Sequence, residues 1–492
     1  MSEKMIKPDP IQAAASFERA KSEFLANRDS EAEEYLWQTL QADSSHHDAW
    51  QLLGVIARRN NHPAALPFFM RALELGGTAD DFVNVGESLQ NMKRMAEAEE
   101  CHNAAIAIDN RNAAAWANRA VIEERRCDYA RAEQSIDTAT ECNPKWHLPR
   151  VNKIQLLLQA GEYDRALKQA EHCIEVCPEL PQAHWNYALC LIQHGQWDKG
   201  WKEYEYRWQL PGFVSMNPMP THVPLWDGQD PKGKTILIVC EQGAGDAIQF
   251  IRYARALHEA GATVCVLAAP KLVPLLACVP GVYEAASTVE SMTPADCFVP
   301  IMSLPCIFGT TPDNACAGDR YINPPVSEKW ADRIGALPEC KVGIAYAGNP
   351  NHANDRDRST KAEDLQGLAD VGGVSFVSLQ FDRQEEWPIR AIDYSADVFS
   401  FLDTAQMIDQ LDVVITVCTS VAHLAGALGK KTLLLVSHSS DARWMLNRDD
   451  TPWYPSVEIR RKPIGKTWRE FVASAAKDWL ILEVCHALPV AK

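Results

Sequence analysis

Over the first two hundred positions, apolar residues recur at helical spacing, and the pattern itself repeats. Small residues that open a helical run stand at Ala32, Ala65, Ala98, Ala132, Ala166 and Gly200, at spacings of 33, 33, 34, 34 and 34. Apolar anchors recur in register with them: Trp50, Leu53 and Gly54, then Phe82, Val85 and Gly86, then Trp116 and Ala120. Another small residue follows seven positions after an opening one, at Ala72, Ala105, Ala139 and Cys173. Small residues at a fixed period let paired helices approach closely, so residues 14–210 are expected to form an α-solenoid in which each repeat buries its apolar face on the next. The segment 200–208 (GWKEYEYRW) reads as a final aromatic helix that closes the array. Residues 211–232, rich in Pro, Gly and Met, read as a linker or docked connection.

From position 234 the pattern changes to short apolar runs. A strand at 235–240, a glycine-rich turn, a helix at 247–260 and a strand at 263–268 make a β–turn–α–β unit. A second series begins at 341–347 and continues through 374–379, 412–417 and 432–436, followed by a helix at 467–482 placed to cross back to the first series. The expectation is two Rossmann-like lobes, 233–325 and 326–492, with a cleft between them. Ligands in such sheets bind beyond the carboxyl ends of the strands.

Composition narrows the function. The 492 residues carry a net charge of −17, which opposes a broad nucleic-acid-binding face. The 15 cysteines are scattered with no CxxC pair, which fits a reducing cytoplasm and gives no support to a zinc or thioredoxin-like site. The start of the chain lacks the apolar core of a signal peptide, and no apolar run is long enough to span a membrane.

The 34-residue period with its small-residue crossings resembles the tetratricopeptide repeat family. Asn84, Asn118, Asn152 and Asn186 fall at one position of successive first helices, 34 residues apart. In peptide-binding members of that family, asparagines there form a ladder along the groove. An amide offers both a donor and an acceptor, so the ladder would hold an extended acceptor backbone. An ordinary preference for Asn at this position explains the same spacing.

In the second half, Gly243 and Gly245 allow a sharp turn at a strand end, and Asp246 opens a helix as either a base or a cap. Gln249 and Arg252 follow at three and six residues. The loop after 341–347 holds Asn349, Asn351, Asn354, Arg356 and Arg358, side chains suited to phosphate or carboxylate. Thr419, Ser420 and His423 open a helix whose N–H groups suit a pyrophosphate. Asp441, Arg443, Trp444 and Trp453 follow the last strand, with Trp453 better suited to core packing.

Four segments in order, 241–250 (EQGAGDAIQF), 348–359 (GNPNHANDRDRS), 419–429 (TSVAHLAGALG) and 441–444 (DARW) with 453–455 (WYP), resemble the heptosyltransferase-type group of GT-B glycosyltransferases, including bacterial proteins that fuse this module to tetratricopeptide repeats. The resemblance spans residues 226–480. It implies inverting sugar transfer from a nucleotide sugar, without metal or other cofactor, with Asp246 as general base. The donor would lie against Gly243, Gly245, Gln249, Asn349, Arg356, Arg358, Thr419, Ser420, His423, Asp441 and Arg443. One position departs from the pattern: Cys418 stands where relatives usually carry Asp. The reading that follows is a cytoplasmic glycosyltransferase whose repeats capture a flagellin-like protein acceptor and whose lobes bind a nucleotide sugar. A glycan- or lipid-core transferase that uses its repeats for homo-oligomeric assembly, and an interaction scaffold with an inactive transferase module, are the alternatives.

Overall fold

A computed structural model describes residues 9–220, 222–315, 320–352, 354–381 and 385–487. The chain forms two compact units, Met1–Ala160 and Gly161–Lys492.

The first unit is helical throughout. Its helices are α1 (Pro10–Leu25), α2 (Asp29–Ala42), α3 (His47–Arg59), α4 (Ala65–Gly76), α5 (Ala79–Asn91), α6 (Met95–Ile108), α7 (Ala113–Arg125), α8 (Tyr129–Cys142) and α9 (Leu148–Gln159). The periodic small residues Ala32, Ala98 and Ala132 are fully buried, each on the second helix of a pair. Gly54 and Gly86 show why the crossings stay small. A Cβ at Gly54 would lie 2.6 Å from the Phe69 ring, and one at Gly86 would lie 2.4 Å from the His102 ring. His102 is completely buried with neither ring nitrogen hydrogen-bonded, and burial holds its pKa down at about 4.

The second unit opens with three more helices, α10 (Tyr163–Val176), α11 (Pro181–Gln193) and α12 (Trp197–Tyr204), and continues into an α/β region. Strands β1 (Thr235–Val239), β2 (Thr263–Leu267), β3 (Val282–Ala286) and β4 (Cys297–Pro300) form a parallel sheet in the order β3-β2-β1-β4. Strands β5 (Cys340–Ala345), β6 (Val374–Ser378), β7 (Ala391–Ile392), β8 (Val413–Val417), β9 (Thr432–Val436) and β10 (Val457–Arg461) form a second parallel sheet in the order β10-β9-β8-β5-β6-β7. The near-continuous apolar runs of β1, β8 and β9 are what a strand buried on both faces requires.

One apolar cluster joins both sheets to the last repeat helices. It contains Ile192, Trp197 and Trp201 beside Phe250, Leu424 and Trp453. Trp197 stacks on Trp453 with ring centroids 4.6 Å apart. The connection 211–232 is docked rather than loose. Met219 and Val223 pack on Leu237, Val239 and Phe298, and the Trp226 N–H donates to the Phe298 carbonyl at 2.7 Å. Two expectations change. The helix expected at 247–260 breaks into Ala244–Phe250 and Tyr253–Glu259. The C-terminal helical segment does not cross back: Phe471, Val472, Trp479 and Leu480 cover the second sheet's own face, beside Val342, Ile344 and Val413.

Candidate functional site

Each sheet changes winding direction at one point, between β1 and β4 in the first and between β5 and β8 in the second. These are the places where such sheets leave a crevice for a ligand. In the first sheet the crevice is filled. Glu241, just after β1, is buried and accepts from the Ile301 and Met302 N–H groups at 2.9 and 3.2 Å. It pairs with the equally buried Arg207 at 3.1 Å. Burial pushes the Glu241 carboxyl up against the opposing pull of Arg207. Arg207 also reaches Glu205 and Ser303, so the segment closing the repeats is tied by charge to the end of β1.

The turn after β1 therefore faces the second sheet. Its left-handed residue is Gln242 (φ 68°), and neither Gly243 nor Gly245 adopts that conformation. Gly243 is the extended N-cap of the helix Ala244–Phe250. Gly245 is needed for close approach: a Cβ there would lie 2.9 Å from the His423 ring, where this helix meets Ser420–Ala427. Asp246 is the third residue of its helix, not the cap. Its Oδ2 accepts from the Gly243 N–H at 2.9 Å, and its Oδ1 accepts from Arg443 at 2.7 Å. Tyr204, from α12, donates to the Gln242 side chain at 3.2 Å. Burial, and after it the Asp246 carboxylate, push the Tyr204 phenol up.

Arg443 is the hub. Besides Asp246, it donates to the Gln249 Oε1 at 2.8 Å and to Asp441 at 2.9 Å. Gln249 is fully buried, and its Nε2 has no hydrogen-bond partner. Burial opposes the Asp441 charge, but Arg443 outweighs it and holds that carboxyl below its usual range. Arg443 thus links the end of β9 to the helix after β1, so the two sheets meet through a charged contact.

The loop after β5 brings Arg358 to the same region. Its side chain is mostly buried, lies over Gly348, and sits 3.5 Å from Asp355. The neighbouring His352 escaped the sequence reading. Its Nδ1 accepts from the Asn354 N–H at 3.1 Å; burial and then Arg358 lower its pKa, while Asp441, Asp355 and Asp246 pull the other way. Arg356 is directed to Asp357 at 3.2 Å, and the Asn349 side chain serves its own loop by accepting from the Asn351 N–H.

Thr419 caps Ser420–Ala427 by accepting from the Val421 N–H at 3.2 Å, and both Thr419 and Ser420 remain partly accessible. His423 does not present an open ring. It is 4% exposed, stacks on Trp444 at 5.1 Å and bonds the Tyr454 hydroxyl at 3.0 Å. Burial, with Arg443 next, depresses its pKa far below the usual value, so the ring is neutral. Cys418 accepts from the Trp444 indole at 3.1 Å, and burial pushes its thiol up to about 11. Arg252 neither reaches a cleft nor pairs at the surface. It is a buried strut to the Trp453 carbonyl and the Tyr321 hydroxyl.

The four asparagines do occupy matching positions on α5, α7, α9 and α11. Asn84 accepts from Arg58, and Asn118 donates to Glu87 at 2.9 Å. Asn152 is partly accessible, whereas Asn186, in the second unit, is 3% exposed and closed off by packing.

Residues 151–209 match the tetratricopeptide repeat family model. Over 469 residues the chain is 25% identical to Protein FlbA of Caulobacter vibrioides, covering 87% of this chain and 78% of that one. Among solved structures it is similar to a tetratricopeptide repeat protein from Parabacteroides merdae (18% identity, 40% of this chain and 79% of that one, TM-score 0.35). It is likewise similar to PilF of Pseudomonas aeruginosa (18% identity, 43% and 94%, TM-score 0.35). No helix among the described residues is long and apolar enough to cross a membrane. The chain is a helical array, matched to tetratricopeptide repeats at residues 151–209, followed by an α/β region of parallel sheets.

Proposed function

We propose that the α/β region is a GT-B-type glycosyltransferase of two Rossmann-like lobes, which moves a sugar from a nucleotide donor to a Ser or Thr hydroxyl of a flagellin-like protein held by the repeats. The observation that carries the reading is the convergence of Asp246, Arg443 and Arg358 with the Thr419 helix end. All of them stand beyond the carboxyl ends of β1, β5, β8 and β9, around the switch point of the second sheet.

In this reading the acceptor oxygen attacks the anomeric carbon, its proton passes to Asp246, and the bond to the diphosphate breaks. The departing charge falls on the N–H groups at Thr419–Ser420 and on Arg358. Without ligand each Asp246 oxygen accepts one hydrogen bond, and in this reading Arg443 passes from Asp246 to the donor as Asp246 takes the proton. His423 supports the site from beneath as a packing residue.

Titration calorimetry with a panel of nucleoside diphosphates is the test. One of them binds the full chain, and Arg358→Gln or Thr419→Val weakens it at least about tenfold. Equal binding by all three proteins removes the donor from this site. One observation favours the scaffold reading instead. The buried Cys418 thiol serves the Trp444 indole at the position where relatives carry a carboxylate.

A further inference from the structure

A second charged site lies on the other arm of the loop that carries Arg443. Between the first turn of α10 and the ends of β9 and β10 is a cavity of about 470 Å³, bordered by Tyr163, His438, Arg461, Lys462 and Ile464. The Tyr163 hydroxyl donates to the His438 carbonyl and holds the two sides together.

Neither cation here makes a direct ion pair; Asp449 is the acid that acts on Arg461 and Asp357 the one that acts on Lys462. Arg461 donates to the Ser440 hydroxyl at 2.8 Å and to the Trp444 and Met445 carbonyls at 2.7 and 2.6 Å, all neutral acceptors. Its Nε is buried with no hydrogen-bond partner. Lys462 donates to the Lys466 carbonyl at 2.9 Å. Among the described residues no carboxylate forms an ion pair with either one, although the chain carries a net charge of −17. Of the acids bordering the cavity, Glu162 pairs with Arg165 at 2.5 Å, itself on the border, and the exposed Asp164 lies 3.2 Å from His194. Burial lowers the pKa of both Arg461 and Lys462 and outweighs the opposing pull of Tyr163 and Asp449 on the first and of Asp357 on the second. The first turn of α10 has no side-chain cap and borders the same space.

Two part-buried cations on successive residues, neither of them ion-paired, cost free energy, and an oxyanion in the cavity reduces that cost. We propose that this cavity is an anion site that takes a phosphate or carboxylate group on a small polar molecule, with Lys462 and Arg461 supplying the charge. The apolar walls at Tyr163 and Ile464 accommodate the rest of the ligand.

The test uses the full chain, with inorganic phosphate, glycerol 3-phosphate and acetate as separate probes at constant ionic strength, read by calorimetry and by the shift in unfolding temperature. At least one probe binds and stabilises the wild type. Preference for the two phosphates over acetate, or the reverse, identifies the group, and comparing the two phosphates separates the free ion from an ester. Lys462→Gln weakens binding about fivefold, the worth of one modest ion pair. Asp164→Asn, at an exposed acid on the cavity rim, tightens it about twofold by removing repulsion. Arg358→Gln, in the other site, leaves it unchanged. The proposal is overturned by absence of binding for all three probes, by undiminished binding in Lys462→Gln, or by loss in Arg358→Gln alone.

Discussion

The two units solve the problem of close approach in opposite ways. In the helical unit, tight places repeat and serve packing. Gly54 meets a ring of the next helix, and Gly86 does the same one repeat later. Polar side chains elsewhere on these helices find partners on adjoining repeats, as Asn118 does in Glu87, whereas the buried His102 ring at the tight place has none. In the α/β region the tight places follow no period: a Cβ at Gly426 would lie 2.5 Å from the Tyr454 ring, and one at Gly367 would lie 2.5 Å from Ala473. Gly245 meets His423 where the helices after β1 and β8 touch, and the charged hub of Asp246, Gln249, Asp441 and Arg443 sits beside it. Repetition spreads stability over many equivalent contacts, whereas the site gathers unlike groups at one contact. Damage to the first should therefore lower stability, and damage to the second should lower chemistry.

The largest expected effect breaks the comparison on the chemical side. Asp246→Asn keeps an acceptor for the Gly243 N–H and removes the base, so turnover falls by about two to four orders of magnitude while the fold persists. Steady-state kinetics together with circular dichroism check both halves. On the structural side, Gly86→Ala places a Cβ against the His102 ring and costs the helical unit about 1–3 kcal/mol in denaturant unfolding. Gly245→Ala has a longer contact to relieve, 2.9 Å against 2.4 Å, and costs less stability.

Acid sharpens the same division. The folded pKa of His102, about 4, lies below that of the unfolded chain. Between that value and neutrality the unfolded state binds more protons, so stability is full above the unfolded pKa and falls as pH drops toward 4. From pH 7.5 to pH 5 this one group removes about 2 kcal/mol, measurable by urea unfolding, and His102→Leu removes that part of the slope. The smallest effect tests the groove. Replacing Asn84, Asn118 and Asn152 together by Ala weakens capture of a protein acceptor by about tenfold, each single change by less than about threefold, as expected of modest hydrogen bonds. Pull-down of the full-length acceptor reads this out.

The repeat array was legible because its signal is periodic and local. Ala32 to Gly200 mark one helix crossing after another, and helix pairs follow them. The strands were legible in β1, β2, β5, β6, β8 and β9, where apolar runs stand alone. Strands β3, β4, β7 and β10 escaped notice: β3 and β10 are only partly buried, β7 is two residues long, and the short apolar run of β4 ends in Pro300. The site was legible as a set of loops, because glycine turns and clustered Asn, Asp and Arg at strand ends have few other uses. Its wiring was not. Whether Arg443 faces a ligand or Asp246, and whether His423 opens to solvent or stacks on Trp444, depends on contacts between residues that lie far apart in the chain. The same holds for Glu241 and Arg207. Each reads alone as an ordinary surface charge, and they become a buried pair only when the end of the repeats docks on β1.

The central claim is that Asp246 activates a protein hydroxyl for sugar transfer. Its most direct test is glycopeptide mass spectrometry on proteins from three otherwise identical cell lines, carrying the wild-type chain, the Asp246→Asn chain, or no chain. The account predicts a defined sugar mass on Ser or Thr of one protein in the wild-type line, and its loss in the other two. The same glycopeptides in all three lines, or equal modification by Asp246→Asn, would contradict it.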